Sequence, residues 1–167
     1  TISHVALKLI SEQFYSALKN ISFSLSENDT LVVDAPLLLD EPIATNDLVE
    51  LENNKSFKWL GRADNVINSG GYKIIPEKVE AEISKLLSIP FFIFGISDSH
   101  FGEKLVLFIE NENSDLDSNQ LKELNLNKFE IPKEVFHLSK FIRTETGKIQ
   151  RRKTVEALPW DIKLFSF

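Results

Sequence analysis

Short runs in which apolar and polar residues alternate fill the first third of the chain, and a period of two predicts strands. Ile21-Ser22-Phe23-Ser24-Leu25 alternates, Ser26-Glu27-Asn28-Asp29 supplies turn chemistry, and Leu31-Val32-Val33 resumes; together they predict a hairpin. Leu48-Val49-Glu50-Leu51 and Phe57-Lys58-Trp59-Leu60, on either side of Asn53-Asn54, predict a second. Pro36 and Pro42 fall in the connection, where no ladder N–H is needed. Beyond Asp64 the pattern is mixed. Val66-Ile67-Asn68 and Tyr72-Lys73-Ile74 flank Ser69-Gly70-Gly71, a tight turn in which glycine permits positive φ. A helix is predicted to start at Ile75-Pro76, with Val79, Ile83, Leu86 and Leu87 on one face and Pro90 marking its end. The nearly continuous apolar runs Phe91 to Ile96 and Leu105 to Ile109 predict strands at the centre of a sheet. A polar loop is predicted over 111–119, then a short helix over 121–129 stopped by Pro132, a strand over 135–138, and a last helix over 151–158.

Composition narrows the function classes. The 167 residues carry a net charge of −6 and no cysteine, which excludes disulfides, thiolate metal sites and cysteine nucleophiles and fits a reducing cytoplasm. No apolar run approaches the roughly 18 residues of a membrane span, so no membrane insertion is expected. The acidic balance argues against nucleic acid as a partner. Charge is unevenly spread, however. Lys140, Arg143, Lys148, Arg151, Arg152 and Lys153 face Glu145 alone within 140–153, which reads either as a solvated basic face or as a site for a small anion. His4, His100 and His137 are too scattered to form a metal-ligand cluster.

Two blocks carry more specific information. The first runs Trp59-Leu60-Gly61-Arg62-Ala63-Asp64-Asn65-Val66-Ile67-Asn68-Ser69-Gly70-Gly71-Tyr72-Lys73-Ile74-Ile75-Pro76-Glu77-Lys78-Val79-Glu80, and the second Thr144-Glu145-Thr146-Gly147-Lys148-Ile149-Gln150-Arg151-Arg152. In this order and spacing they resemble the hinge and the C-terminal lysine loop of the adenylate-forming enzymes: acyl-CoA synthetases, adenylation domains and luciferases. The resemblance implies an α+β fold. A small antiparallel β-barrel-like subdomain over 1–61 would end a large N-terminal domain, with a hinge at 62–64. A mobile lid with a central sheet flanked by helices would span 65–158, with a tail over 159–167. The opening Thr1-Ile2-Ser3-His4 resembles the residues directly after the family's Gly-x-Thr-Glu motif, and no Gly-rich phosphate loop can be read before Trp59. The expectation is therefore the C-terminal portion of a longer ligase, with the magnesium ligand and the missing N-terminal domain upstream and the isolated chain inactive.

The resemblance also implies roles. Lys148 matches the lysine that holds acyl carboxylate and α-phosphate together, although a turn lysine is otherwise a solvated surface residue. Asp47, in Thr45-Asn46-Asp47, matches the carboxylate that accepts both ribose hydroxyls of ATP, with Asn46 in place of the usual glycine; otherwise it reads as a turn aspartate. Arg62 matches an arginine that reaches the nucleotide, or else is an edge-strand arginine. Asp64 matches the hinge residue, assigned to gating. Gly70 and Gly71 match a hairpin lining the pantetheine tunnel of CoA, with a plain turn as the alternative. Phe101 is read as a stacking partner for the CoA adenine or as a buried loop residue. Implied substrates and cofactors are ATP, Mg2+, CoA and a carboxylic acid. Thr1 to Leu7, Asp34-Ala35-Pro36, Asp40-Glu41-Pro42, the stretch from Thr45 to Glu50 and Trp59-Leu60-Gly61-Arg62 together look like the branch that activates o-succinylbenzoate in menaquinone biosynthesis, where His4 would meet the dicarboxylate or serve structure. Another acyl- or aryl-CoA synthetase, a carrier-protein-loading adenylation domain and a stand-alone module without chemistry remain alternatives.

Overall fold

Eleven strands, three short α-helices and one 3-10 turn make up the regular structure among the residues that the computed structural model describes, 4–111, 116 and 118–159. Most of the predicted loop over 111–119, the opening Thr1-Ile2-Ser3 and the tail beyond Pro159 lie outside the described residues. The chain divides into two units, Thr1–Asn65 and Val66–Phe167. Among the described residues no helix is long and apolar enough to cross a membrane.

The first unit holds β1 (Ala6–Leu7), β2 (Tyr15–Ala17), β3 (Ser22–Leu25), β4 (Thr30–Asp34), β5 (Ile43–Asn53) and β6 (Ser56–Arg62). They form one antiparallel sheet in the order β1-β2-β6-β5-β4-β3. Both predicted hairpins are present. The 26–29 turn is closed by Ser26, whose hydroxyl accepts from the Asn28 and Thr30 amides, and Asp29 takes the positive φ. Alternation buries Phe23, Leu31, Val33, Val49 and Phe57 in one cluster, with Phe23 edge-on to Phe57. The expected barrel-like closure is corrected: the strand path stays open, ending at β1 and β3. No ladder joins β1 to β3 among the described residues, and the Phe23 amide donates to the Asn54 carbonyl in the β5–β6 turn at 2.9 Å.

The second unit is built around β10 (Gly102–Ile109). It pairs along its length with antiparallel β9 (Phe91–Asp98). On its other side lie parallel β11 (Glu134–His137) and antiparallel β7 (Ile67–Ser69), the latter in a hairpin with β8 (Tyr72–Ile74). Leu105, Leu107 and Ile109 project to one face, against Ile93 and against Val79 and Ile83 of α1 (Pro76–Ile83). Val106 and Phe108 project to the other, against Phe92, Phe141 and Val155 of α3 (Arg151–Glu156). Both faces are covered, which is why Leu105 to Ile109 of β10 read as an unbroken apolar run.

Three details depart from the sequence expectation. β9, expected at the centre, pairs with β10 alone among the described residues; it is apolar because Phe92 and Ile93 enter opposite cores. α1 ends at Ile83, so Leu86 leaves the core face and is 40% exposed. The helix expected over 121–129 is instead α2 (Ser118–Lys122), because the Asn127 side chain accepts from the Phe129 and Glu130 amides and competes with helix continuation.

Candidate active-site residues

In the first unit the β5–β6 ladder sets Asp47 opposite Arg62. Asp47 Oδ1 accepts from the Trp59 indole at 3.1 Å, and its backbone amide donates to Thr45 Oγ1 at 3.1 Å. The carboxylate is thus oriented by a neighbour on the facing strand while staying one-third exposed. Asn46 lies inside β5 and is not among the residues of positive φ, so this strand does not require the freedom of the glycine it replaces. An open groove of about 750 Å3 is lined by Leu31, Val33, Phe57, Trp59, Thr45 and Asp47, with Val5, Tyr15 and other apolar residues. Asp47 is the one charged side chain among its lining residues. An apolar trough with one oriented carboxylate suits a ligand that joins an apolar ring to hydroxyl groups.

Arg62 turns to Asp64. Its Nε and Nη2 donate to the two carboxylate oxygens at 2.9 and 3.2 Å, while Nη1 lies 3.9 Å from Asp47. The Arg62 hydrogen bonds are the main reason the Asp64 carboxyl titrates below its ordinary range. Asp64 itself sits in the 3-10 turn Ala63–Asn65. Asp47, Arg62 and Asp64 therefore form one linked group. His4 is exposed and stands outside it, next to the groove residue Val5.

In the second unit Gly70 and Gly71 occupy the β7–β8 turn with φ of +58° and +83°, conformations that side chains resist. The Gly70 amide donates to the Phe101 carbonyl at 2.8 Å. A Cβ on Gly70 would meet Phe101 at 3.5 Å and Phe129 at 3.9 Å, whereas one on Gly71 would point into open space. Tyr72 stacks on Phe129 at 3.8 Å between ring centroids, and the Lys133 ammonium stands 6.0 Å from the Phe101 ring. Phe101 is 41% exposed, not buried in its loop. The structure thus brings the glycine turn and Phe101 together and adds Tyr72 and Phe129, which sequence reasoning missed. Their aromatic character was the available signal.

Lys148 directly follows the turn of a hairpin over 142–150, facing Thr144 on the other arm. Gln150 N donates to Ile142 O at 2.8 Å, Thr144 N to Lys148 O at 2.8 Å, and Gly147, at φ +83°, closes the turn by donating to Thr144 O at 2.9 Å. Thr144 Oγ1 accepts from Lys148 N at 3.1 Å and bonds Thr146 Oγ1 at 2.9 Å. The lysine side chain is exposed. Both ends of the hairpin are tied down by arginines of the basic run, Arg143 to Glu110 and Arg151 to Glu80. Burial raises the Glu80 carboxyl to about 7, against the opposing pull of Arg151 and of the Ile93 amide.

Comparison with known proteins decides the kinship. Over 120 residues the chain is 35% identical to a probable CoA ligase of Humulus lupulus, covering 67% of this chain and 22% of the plant protein. Over 126 residues it is 32% identical to a 2-succinylbenzoate–CoA ligase of Listeria innocua, covering 73% and 27%. The chain is a homologue of the adenylate-forming CoA ligases. The crystal structure of an AMP-forming acyl-CoA synthetase-like protein from Dyadobacter fermentans aligns with a TM-score of 0.53 at 35% identity, over 94% of this chain and 48% of that one. Other solved neighbours are described as holding ATP or an acyl-adenylate. No family model matches the chain. The homologue corresponds to the C-terminal part of these ligases and spans about a quarter of the length of its curated relatives.

Proposed function

We propose that this chain is the C-terminal portion of an ATP-dependent acid–CoA ligase. In the first step a substrate carboxylate attacks the α-phosphorus of ATP and pyrophosphate leaves; in the second the CoA thiol attacks the acyl carbon and AMP leaves. The supporting observation is the Lys148 hairpin, an exposed ammonium on a turn fixed by backbone and threonine hydrogen bonds. Bringing two anions together requires a preorganised cation, and such a cation favours the transition state over the separated reactants. Asp47, with one acceptor position taken by Trp59, retains capacity for the two ribose hydroxyls of ATP. Arg62 borders the same group and would reach the nucleotide from there. Phe101, beside the glycine turn at 70–71, offers a ring face to the CoA adenine, with the turn passing the pantetheine arm. Asp64, in the turn that ends the first unit, is assigned the hinge between the arrangements for the two steps. Among the described residues no three carboxylates or imidazoles group as a metal site.

The acid we assign is o-succinylbenzoate, on the similarity to 2-succinylbenzoate–CoA ligases from Listeria and Staphylococcus. The test is thioester formation by the complete ligase polypeptide with a panel of acids, followed as loss of free CoA thiol. Turnover of o-succinylbenzoate well above benzoate and linear fatty acids is expected. Preference for another acid would transfer the chain to a different acyl- or aryl-CoA synthetase branch. The 167-residue chain alone, assayed in parallel, is expected to give no acid-dependent ATP–pyrophosphate exchange above a buffer blank.

A further inference from the structure

Two arginines bracket the Lys148 hairpin, and each meets a carboxylate from a distant part of the second unit. Arg143 forms a forked pair with Glu110, at the end of β10, through Nη1 and Nη2 to the two carboxylate oxygens. Glu110 Oε1 also accepts from the Phe141 amide, so one carboxylate fixes both side chain and backbone at the base of the hairpin. The Glu110 side chain is only 14% exposed, and the Arg143 side chain 26%. At the far end Arg151, the first residue of α3, donates to Glu80 Oε2 at 2.9 Å and stands 3.7 Å from Glu77, both on α1. Arg143 and Ile149 face each other as a β-bridge, which leaves 144–148 as a short span between two anchors.

We propose that Glu110 and Arg143 are positioning residues for Lys148, holding the hairpin at the height and angle that adenylation needs. The proposal rests on the assignment of Lys148 to adenylation. A forked guanidinium–carboxylate pair constrains orientation as well as distance, which a single ammonium contact does not. An ammonium on a long flexible stem gains most from a fixed base, because a placement error of about 1 Å can cost on the order of 10²-fold in rate.

The experiment uses the complete ligase and compares Glu110→Gln, Arg143→Lys and Arg143→Ala with the parent and with Lys148→Ala. Glu110→Gln keeps the shape and removes the charge; it is expected to lower kcat for acyl-adenylate formation about 10- to 100-fold with little change in the KM for ATP. Thioester formation from supplied acyl-adenylate stays at the parental rate. Arg143→Lys retains the charge without the fork and loses less than Arg143→Ala. Amide hydrogen exchange at Thr144 and Lys148 speeds up in the Glu110 variant, a local readout independent of turnover. The deciding measurement is the double variant. If Glu110 acts through Lys148, adding Glu110→Gln to Lys148→Ala costs nothing further. Losses that multiply, or equal damage to both half-reactions, overturn the positioning role while leaving Lys148 in place. Should Lys148→Ala adenylate at the parental rate, the assignment of Lys148 itself falls, and the positioning role with it. If Glu110→Gln fails to fold, Arg143→Lys carries the same cycle with Lys148→Ala.

Discussion

Lys148 shows how far a single residue can be read from a chain. Its block, with Gly147 before it and arginines after it, was legible in the sequence, and the hairpin explains the glycine by its positive φ. Its supports were not legible, since Glu110 lies 33 residues before Arg143, and Glu80 lies 71 before Arg151. Spacing patterns report neighbours along a strand or helix, and only the tertiary fold pairs such positions. Trp59 was legible as a strand residue, but its bond to Asp47 was not: the two meet across a bulged ladder, and no alternation rule assigns that register. At this scale, Lys148→Ala in the complete ligase is expected to reduce adenylation by roughly 10²- to 10³-fold, the usual cost of one preorganised electrostatic contact. The measurement is single-turnover formation of acyl-adenylate. Melting temperature should hold, since the side chain is exposed and adds little to the core. A variant that unfolds would mark Lys148 as structural.

At the level of elements, apolar runs gave the strands of the second unit but not their order. Phe91 to Ile96 and Leu105 to Ile109 have the same character because each is covered on both faces, although of these two strands β10 alone has strand neighbours on both edges among the described residues. The exposed edge of β9 is managed by α1: Glu80 Oε1 accepts from the Ile93 amide at 2.8 Å, satisfying a donor that a further strand would otherwise take. Burial of that carboxylate has a consequence for pH. With its folded value near 7 and an ordinary value of 4.5, Glu80 holds a proton in the folded state that the unfolded state releases between these limits. Stability is therefore present at low pH and is lost as pH rises through about 5 to 7, by about 3 kcal/mol for a shift of this size. Glu110 works in the opposite sense. Its forked bond to Arg143 holds its carboxyl below the ordinary range, so its contribution is present above that range and is lost on acidification. Denaturant unfolding from about pH 4.5 to 8 should show the Glu80 slope in the parent, and Glu80→Gln should flatten it. An unchanged slope in the variant would mean that another group carries the pH dependence.

For the molecule as a whole, the alternation in residues 21–60 identified antiparallel strands but not whether their sheet closes. Closure depends on strand stagger and on the short pieces β1 and β2, whose two and three residues are too brief to leave a period. The change from the first unit to the second falls at Asn65 and Val66, directly after the turn that contains Asp64. If Asp64 is the hinge, Asp64→Pro in the complete ligase should fix φ there and block exchange between the two catalytic arrangements. Acyl-adenylate would accumulate and thioester would not form. The side chain complicates the test, because proline also removes the carboxylate that Arg62 grips with two hydrogen bonds. Asp64→Ala separates the effects: it removes the carboxylate while leaving φ free, and should support both half-reactions. The pair is exposed and contributes little stability, so neither variant should lose its fold through that contact alone. Quenched-flow measurement of each half-reaction distinguishes the cases. Loss of the second step in the proline variant alone would support a backbone hinge. Equal loss in proline and alanine variants would move the role of Asp64 from the backbone to its grip on Arg62, and so to the linked side chains for which we propose nucleotide binding, Arg62 and Asp47.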